Sequence, residues 1–362
     1  MQPLRGLKIL DFSTLLPGPF ATMYLADWGA EVLRIEAPDR PDLSRSTPPF
    51  ANGTSTTHAL LNRSKDSLVL DLKKPGDLER IKELLDDYDI VVEQFRPGVM
   101  DKLGLGYTAL QQVNPKLIYC SITGYGQTGP YRDRAGHDIN YAALSGLAAM
   151  TGSQETGPVL HGTPVCDLAG SFHALFALMT SVYHRQRTGE GQYIDVSITD
   201  SSQMLSALWM QMQLAAGQSP TWESTLLNGG SFYGYYRTKD RRHLSVGGLE
   251  PKFYKGFAEA IEALEILSLP PPRVAEARRI IQQRIETKTL GEWMTIFSRL
   301  DVCVEPVLGF DEIAQHPQFV ARERVAEVSC ETSKAQKQLA SPIRFSTFRP
   351  VYRFIGKEPG AR

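Results

Sequence analysis

Strand-like and helix-like patterns alternate through the first third of the chain, and that alternation leaves few architectures open. Leu7 to Phe12 is a short apolar run of the buried-strand type, and Pro19 to Trp28 has helical spacing. Further strands are expected at Glu31 to Ile35, Ser67 to Leu72, Ile90 to Glu93 and Leu117 to Ile122, with helical patterns at Leu78 to Leu85 and Thr108 to Val113. Apolar strands separated by helices pair in parallel, because each helix carries the chain back across the sheet. With right-handed crossovers the outcome is a Rossmann-like parallel sheet in an α/β domain.

Long helical patterns follow at Ile139 to Met150 and Asp167 to Arg187, then a turn at Gly189 to Gln192, a strand at Tyr193 to Val196 and a helix at Thr199 to Ala216. Residues 217–230 are polar and irregular and read as a linker. Tyr233 to Val246 reads as a hairpin around Lys239-Asp240-Arg241, with two helical patterns and a proline cluster (Pro270, Pro271, Pro272) beyond it. The tail, Pro317 to Pro359, is β-like and irregular and is expected to rejoin the first domain. The expected organisation is a large α/β domain at 1–215 with a return at 316–362, and a linker with a smaller α+β domain at 216–315.

Composition narrows the function. A net charge of -1 gives no bulk attraction to nucleic acid or to an anionic membrane. Four scattered cysteines without a CxxC argue against a structural zinc site or a disulfide framework, and fit a reducing cytoplasm. No run of about 18 apolar residues suggests a membrane span. No leader is read at the start, and no lipidation or retention signal at Glu358 to Arg362.

Four local patterns bear on chemistry. Gly124-Tyr125-Gly126-Gln127-Thr128-Gly129 has the GxGxxG spacing and follows a strand, but Pro130 and a polar stretch come next. An NAD site needs those glycines to open a helix, so the segment reads instead as a glycine-rich loop beside a site. In Gly136-His137-Asp138-Ile139-Asn140-Tyr141 a helix begins, so His137 and Asp138 sit near its positive end. His137 is either a neutral base there or a surface residue beside an Asp138 cap. Asp167 precedes a long apolar helix and is either its cap or an exposed carboxylate at a sheet edge, able to act as base or nucleophile. Arg96 and Lys102 follow a strand and either meet phosphates or lie in solvent. Met204, Met210 and Met212 line either a plastic acyl channel or, as apolar stripes more often do, the core side of a helix.

Taken together, Leu4 to Asp11, Pro17-Gly18-Pro19, Asp27 to Glu36, Asn62 to Lys73, Arg96-Pro97-Gly98, Gly124 to Pro130, Gly189 to Gln192, Asn228-Gly229-Gly230, Gly248 to Tyr254 and Cys303 to Val307 resemble the blocks of the family III CoA-transferases (CaiB/BaiF), in order over nearly the whole chain. Within that family the pattern looks most like the 2-methylacyl-CoA racemase branch. The resemblance implies an interlocked homodimer acting on an acyl-CoA thioester. CoA enters as part of the substrate, and no metal or other cofactor is implied. Transferases of the family use an aspartate nucleophile, and Asp167 matches it. Racemases use a histidine and an aspartate, and His137 and Asp167 match them. Glu250 matches a glutamate that orients the histidine. CoA would be met at its phosphates by Arg96 and Lys102, at its adenine near Leu72 and Lys73, along pantetheine by Tyr141, and also by Leu15. Where some racemases carry an arginine on the adenine, this chain has Ala37.

Removing a thioester α-proton requires donors for the enolate oxygen, expected at the helix start where Asp138 sits. It also requires an acid and a base on opposite faces of the carbon. Burial would raise the Asp167 carboxyl toward neutrality for that exchange. The acyl group would be lined by residues such as Met150, Leu226 and Tyr236. The competing expectations are a CoA-transferase, a non-catalytic CoA-binding protein and, resting on the lone glycine motif, an NAD-dependent oxidoreductase.

Overall fold

The computed structural model describes residues 2–269, 273–330 and 334–361, so the expected proline cluster lies outside the described residues. Six strands form one sheet: β1 (Lys8–Asp11), β2 (Glu31–Glu36), β3 (Lys65–Val69), β4 (Ile90–Glu93), β5 (Ile118–Thr123) and β6 (Gln192–Ser197). They run β3-β2-β1-β4-β5-β6, and every pairing is parallel. The α/β reading therefore holds, with the strand order of a Rossmann sheet. β1 is apolar between Lys8 and Asp11 and β4 is apolar up to Glu93, which brings two carboxylates to the carboxyl edge.

Helices cover the sheet. Helix α1 (Pro17–Asp27) starts on Pro17, whose ring presets the first helical φ and whose missing N–H costs nothing there. Helices α2 (Pro75–Leu84), α3 (Val99–Lys102) and α4 (Tyr107–Val113) connect the next strands. Helix α5 (Asp138–Leu144) leads to α6 (Val165–Thr188), which ends on Gly189 at φ 79, a left-handed stop suited to glycine. Helix α6 is long and apolar enough by composition to cross a membrane, yet Cys166, Ala169, Gly170, Ala174, Leu178 and Val182 are buried along it.

The chain divides into two compact units. The first comprises residues 1–145, 161–205 and 317–362, and the second 146–160 and 206–316. The first unit's core joins Leu10, Leu33, Ile81, Val91, Leu110 and Tyr119. The second has its own core, built around Trp293, Phe257, Phe297 and Leu244. A three-stranded antiparallel sheet (Gly234–Arg237, His243–Val246, Val304–Pro306) packs there with three α-helices, Pro251–Ala260, Val274–Ile285 and Leu290–Phe297, one more than the sequence patterns suggested.

Two expected elements are redrawn. The helix expected over Thr199 to Ala216 is two, α7 (Ile198–Leu205) and α8 (Ala207–Ala216), parted at Ser206. Helix α8 buries none of its residues, and Met204 and Met210 are exposed, so the methionines are not helix core. The helix expected over Ile139 to Met150 stops at Leu144, because Gly146 turns left-handed (φ 87).

Buried charges tie the first unit together. Arg45 holds both oxygens of Glu36 at 2.9 and 2.6 Å, Arg34 lies 3.4 Å from it, and Ser67 donates at 2.6 Å. Burial alone would raise the Glu36 carboxyl, but these partners outweigh it and hold it at about 2. The folded pKa lies below the ordinary 4.5, so the stabilisation is present above that pH and is lost as pH falls toward 2. By linkage it is worth on the order of 3 kcal/mol. Glu36→Gln is expected to be less stable at neutral pH and to lose less stability on acidification. Denaturant unfolding at several pH values checks this, and parallel pH slopes would refute it.

Candidate active site

In a sheet of this order the crossovers leave β1 and β4 in opposite directions, opening a crevice at their carboxyl ends where α/β proteins bind ligands. The start of α1 and the loop after β4 meet there: the Gly18 N–H donates to Gln94 Oε1 at 3.1 Å. Leu15, in the loop after β1, has a left-handed backbone (φ 62) that costs a leucine about 1–2 kcal/mol. Asp42 holds it there, accepting from the Leu15 N–H at 3.2 Å while also accepting from Ser44 N–H and Arg34. Such a conformation persists only where the surroundings hold it. Arg96 and Lys102 are exposed beyond β4, and neither has an ion-pair partner among the described residues. Arg132 reaches toward the same Arg96-Pro97-Gly98 loop, its Nη2 4.0 Å from where a Cβ on Gly98 would stand. Leu72 is half-buried after β3; Lys73 is exposed and paired with Asp39 at 3.0 Å.

The glycine-rich segment from Gly124 runs as bends and turns, and no helix begins before Asp138. Its glycines serve close approach. A Cβ on Gly124 would lie 2.5 Å from the Tyr141 hydroxyl, and one on Gly136 would lie 2.7 Å from both the Tyr125 hydroxyl and the Tyr141 ring. Tyr141 donates to the Gly136 carbonyl at 2.7 Å and is only 6% exposed. It is a prop beneath these loops, with little surface left to line a pantetheine channel.

His137, Asp138 and Asp167 converge above that prop. His137 is the N-cap of α5, exposed, with its N–H bound to Asn140 Oδ1 at 3.0 Å. Asp138 does not cap its own helix. Its Oδ1 accepts from the N–H groups of Cys166 (2.8 Å) and Asp167 (3.0 Å), so it caps α6 from 28 residues away. Asp167 is thereby released from capping: the N-cap of α6 is Pro164, and no hydrogen bond among the described residues engages the Asp167 carboxylate. That carboxyl is pushed up to about 6, first by burial and then by the Asp138 charge, against the pull of His137. A half-buried carboxyl poised near neutrality can take or give a proton.

Residues 4–359 match the family described as CoA-transferase family III. The chain belongs to CoA-transferase family III. Alpha-methylacyl-CoA racemase from Homo sapiens is 37% identical over 320 residues, covering 86% of this chain and 80% of that protein. Succinyl-CoA:glutarate CoA-transferase, also from Homo sapiens, is 32% identical over 361 residues, covering 96% and 82%. A CaiB/BaiF family protein from Brucella suis superposes with a TM-score of 0.88 at 26% identity, covering 99% of this chain and 97% of that one.

This member of CoA-transferase family III carries site features that its sequence did not display. Gln94 and Arg132 were not singled out by pattern, since only the strand order brings their loops to the crevice. Glu93, at the end of β4, is pushed up to about 7 by burial, reinforced by Asp101 and Asp195. Glu250 lies in the second unit as the N-cap of helix Pro251–Ala260, with an exposed side chain that makes no cap hydrogen bond. Tyr236 is 2% exposed in that unit's core and donates to the Phe232 carbonyl, so it does not line an acyl pocket. Among the described residues no group of three His, Cys, Asp or Glu is placed to hold a metal.

The contact between Asp138 and Asp167 yields a prediction. Asp138→Asn keeps an acceptor for the α6 N–H groups but removes the like charge, so the Asp167 pKa falls. The acid limb of the pH profile for kcat/KM is expected to move to lower pH. An unmoved limb would mean that Asp138 does not set the ionisation of Asp167.

Proposed function

We propose that this enzyme racemises 2-methylacyl-CoA thioesters by 1,1-proton transfer at the α-carbon. The observation that carries the reading is the Asp167 carboxyl, raised to about 6, unengaged and close enough to His137 to feel its charge. One group removes the α-proton and the other delivers a proton to the opposite face, with the roles exchanging in the reverse direction. The enolate oxygen between those steps needs donors, and the open N–H groups at the start of α5 are suited to it. Arg96, Lys102 and Arg132 supply positive charge for the CoA phosphates, Leu72 and Lys73 border the adenine, and Leu15 shapes the crevice. The reaction changes no oxidation state and requires no metal or redox cofactor.

We further read the enzyme as an interlocked homodimer, with Glu250 orienting His137 of its own or the partner's site. Large apolar side chains left exposed on α6 (Phe172, Phe176, Tyr183) and on α8 (Leu208, Leu214) favour a covering partner. Light scattering at micromolar concentration is expected to report twice the chain mass.

A second reading has its own support. Relatives called succinyl-CoA:glutarate CoA-transferase align over more of this chain than those called alpha-methylacyl-CoA racemase. In a transferase Asp167 attacks the thioester carbonyl and CoA leaves as thiolate, giving a mixed anhydride. The CoA thiolate then attacks the aspartyl carbonyl of the anhydride, which breaks the anhydride bond, releases the first acid as its carboxylate and leaves an aspartyl-CoA thioester for the acceptor carboxylate to attack. The deciding experiment is incubation with one enantiomer of a 2-methylacyl-CoA in D2O without an acid acceptor. Racemisation is expected to place deuterium at C2 with loss of chirality. If C2 stays protiated while hydroxylamine traps an acyl adduct on Asp167, the transferase reading replaces it.

A further inference from the structure

We propose that Glu93 is a positioning residue for CoA, joining the loop that carries Arg96 to the glycine loop so that both present a fixed surface to the ligand. The inference rests on the proposed acyl-CoA function and adds a residue to it that touches no substrate.

The joint can be followed bond by bond. Glu93 ends β4 and is 4% exposed. Its Oε2 accepts from the N–H of Phe95 at 2.8 Å, directly before Arg96. On β5 Glu93 pairs in register with Ser121, whose hydroxyl lies between the Glu93 carboxylate and the Tyr193 phenol and lowers the pKa of both. Ser121 Oγ accepts in turn from Gln127 Nε2 at 2.7 Å, and the Gln127 N–H donates to Asp195 Oδ2 on β6 at 3.0 Å. Gln127 lies within the glycine loop, so one carboxylate ties the start of one loop to the middle of the other. A hydroxyl has a single hydrogen, so with Gln127 donating to it the Ser121 hydroxyl can serve Glu93 or Tyr193 but not both, and an ionised Glu93 draws it the more strongly. With Glu93 ionised the chain of donors runs from Gln127 through Ser121 to the carboxylate.

Burial holds that carboxyl at about 7, so both forms are populated near neutral pH. The groups facing it are Asp101 from α3, Asp195 and Tyr193 from β6, Tyr119 from β5 and Arg96 from the adjoining loop. The two aspartates raise it. On the neighbouring strand, Asp11 is engaged by Lys65 and Thr22. A cavity of about 200 Å³ beside Glu93, lined by Arg96, Tyr107, Gln127 and Tyr193, gives its proton a route to solvent. Protonation removes an acceptor and reverses the bond to Ser121, which loosens the hold on Gln127. Glu93→Gln fixes that state without changing the side chain's size.

The test is the dissociation constant of CoA by calorimetry on the wild-type chain and on Glu93→Gln, at pH 8 and pH 6. Wild type is expected to bind about tenfold more tightly than the variant at pH 8, the worth of one charge-assisted hydrogen bond. At pH 6 the ratio is expected to shrink toward one as the wild-type carboxyl protonates. Equal affinity at pH 8 would overturn the proposal, and so would the same ratio at both pH values, which is what a simple packing role gives. Gln127→Ala cuts the joint at its half-exposed end and is expected to weaken binding to a similar degree; this variant carries the test if Glu93→Gln does not fold. Wild type that fails to bind CoA at either pH would remove the acyl-CoA reading itself, an outcome separate from wild type that binds and a variant that matches it.

Discussion

Asp167→Asn is expected to abolish turnover, with a loss of about 10²–10⁴ in the rate of deuterium incorporation at C2. The substitution isolates chemistry from architecture. Asp138 caps α6 through backbone N–H groups, including that of residue 167 itself, and those bonds do not depend on the side chain at 167. The variant should therefore fold and bind CoA as the parent does, with the loss falling on kcat. A matching loss of CoA affinity or of melting temperature would show Asp167 to be structural. The wild-type pH profile gives a second check. In the direction where Asp167 is the base, its ionised form is required, and its pKa lies at about 6. kcat/KM should then rise with pH through that value and fall again once the group on the opposite face has lost the proton it must deliver. Asp167→Asn cannot separate racemase from transferase, because both need the carboxylate. His137→Ala can: it should stop exchange at C2 in a racemase and leave acyl transfer through Asp167 largely intact in a transferase.

The parallel sheet was legible because its central strands β1, β4 and β5 are buried on both faces and carry apolar runs between helical patterns. β3 departs from that pattern for a reason. β3 begins at Lys65, two residues before the apolar run suggested. A lysine inside a buried strand is hidden from hydropathy, and only its partners make it tolerable: Thr22 at 2.7 Å, the Pro19 carbonyl at 2.8 Å and Asp11 at 3.4 Å. Burial still lowers the Lys65 ammonium to about 8, with Asp11 opposing. His137, Asp138 and Asp167 could be named from the sequence because each sits at a helix start, a position with a local signature. Their division of labour could not. Whether Asp138 or Asp167 caps a helix depends on a bond spanning 28 residues, which no window of sequence contains. Glu93 and Gln94 escaped notice for the same reason, since their meaning comes from adjacent strands and loops rather than from neighbours in the chain. Tyr236 shows the opposite error. An aromatic residue on a hairpin looks available for a ligand until its unit's core claims it.

Arg63→Ala is expected to cost about 3–5 kcal/mol of stability, the usual penalty for removing one partner of a buried ion pair. Arg63 grips Asp27 with two parallel bonds, Nε to Oδ1 at 2.8 Å and Nη2 to Oδ2 at 2.6 Å, and both side chains are almost wholly buried. Its remaining nitrogen, Nη1, donates to the Leu339 carbonyl at 2.7 Å, and its guanidinium lies 4.4 Å from the ring of Tyr352. One side chain thus ties the end of α1 to the hairpin Val325–Val328 with Gln336–Leu339 and to the chain beyond it. Much of the cost is the carboxylate left behind rather than the bonds removed, and two further outcomes follow. Replacing both partners with apolar residues of similar size, Arg63→Met with Asp27→Leu, should recover a large part of the stability that Arg63→Ala loses. The penalty should also depend on pH. Burial already pushes the Asp27 carboxyl upward against the pull of Arg63, so without Arg63 it rises further and takes up a proton as pH falls. Protonation removes the uncompensated charge, and the gap between wild type and Arg63→Ala should narrow on acidification. A gap that stays constant from neutral pH down to pH 5 would assign the loss to the Leu339 and Tyr352 contacts instead, because neither of those titrates in that range.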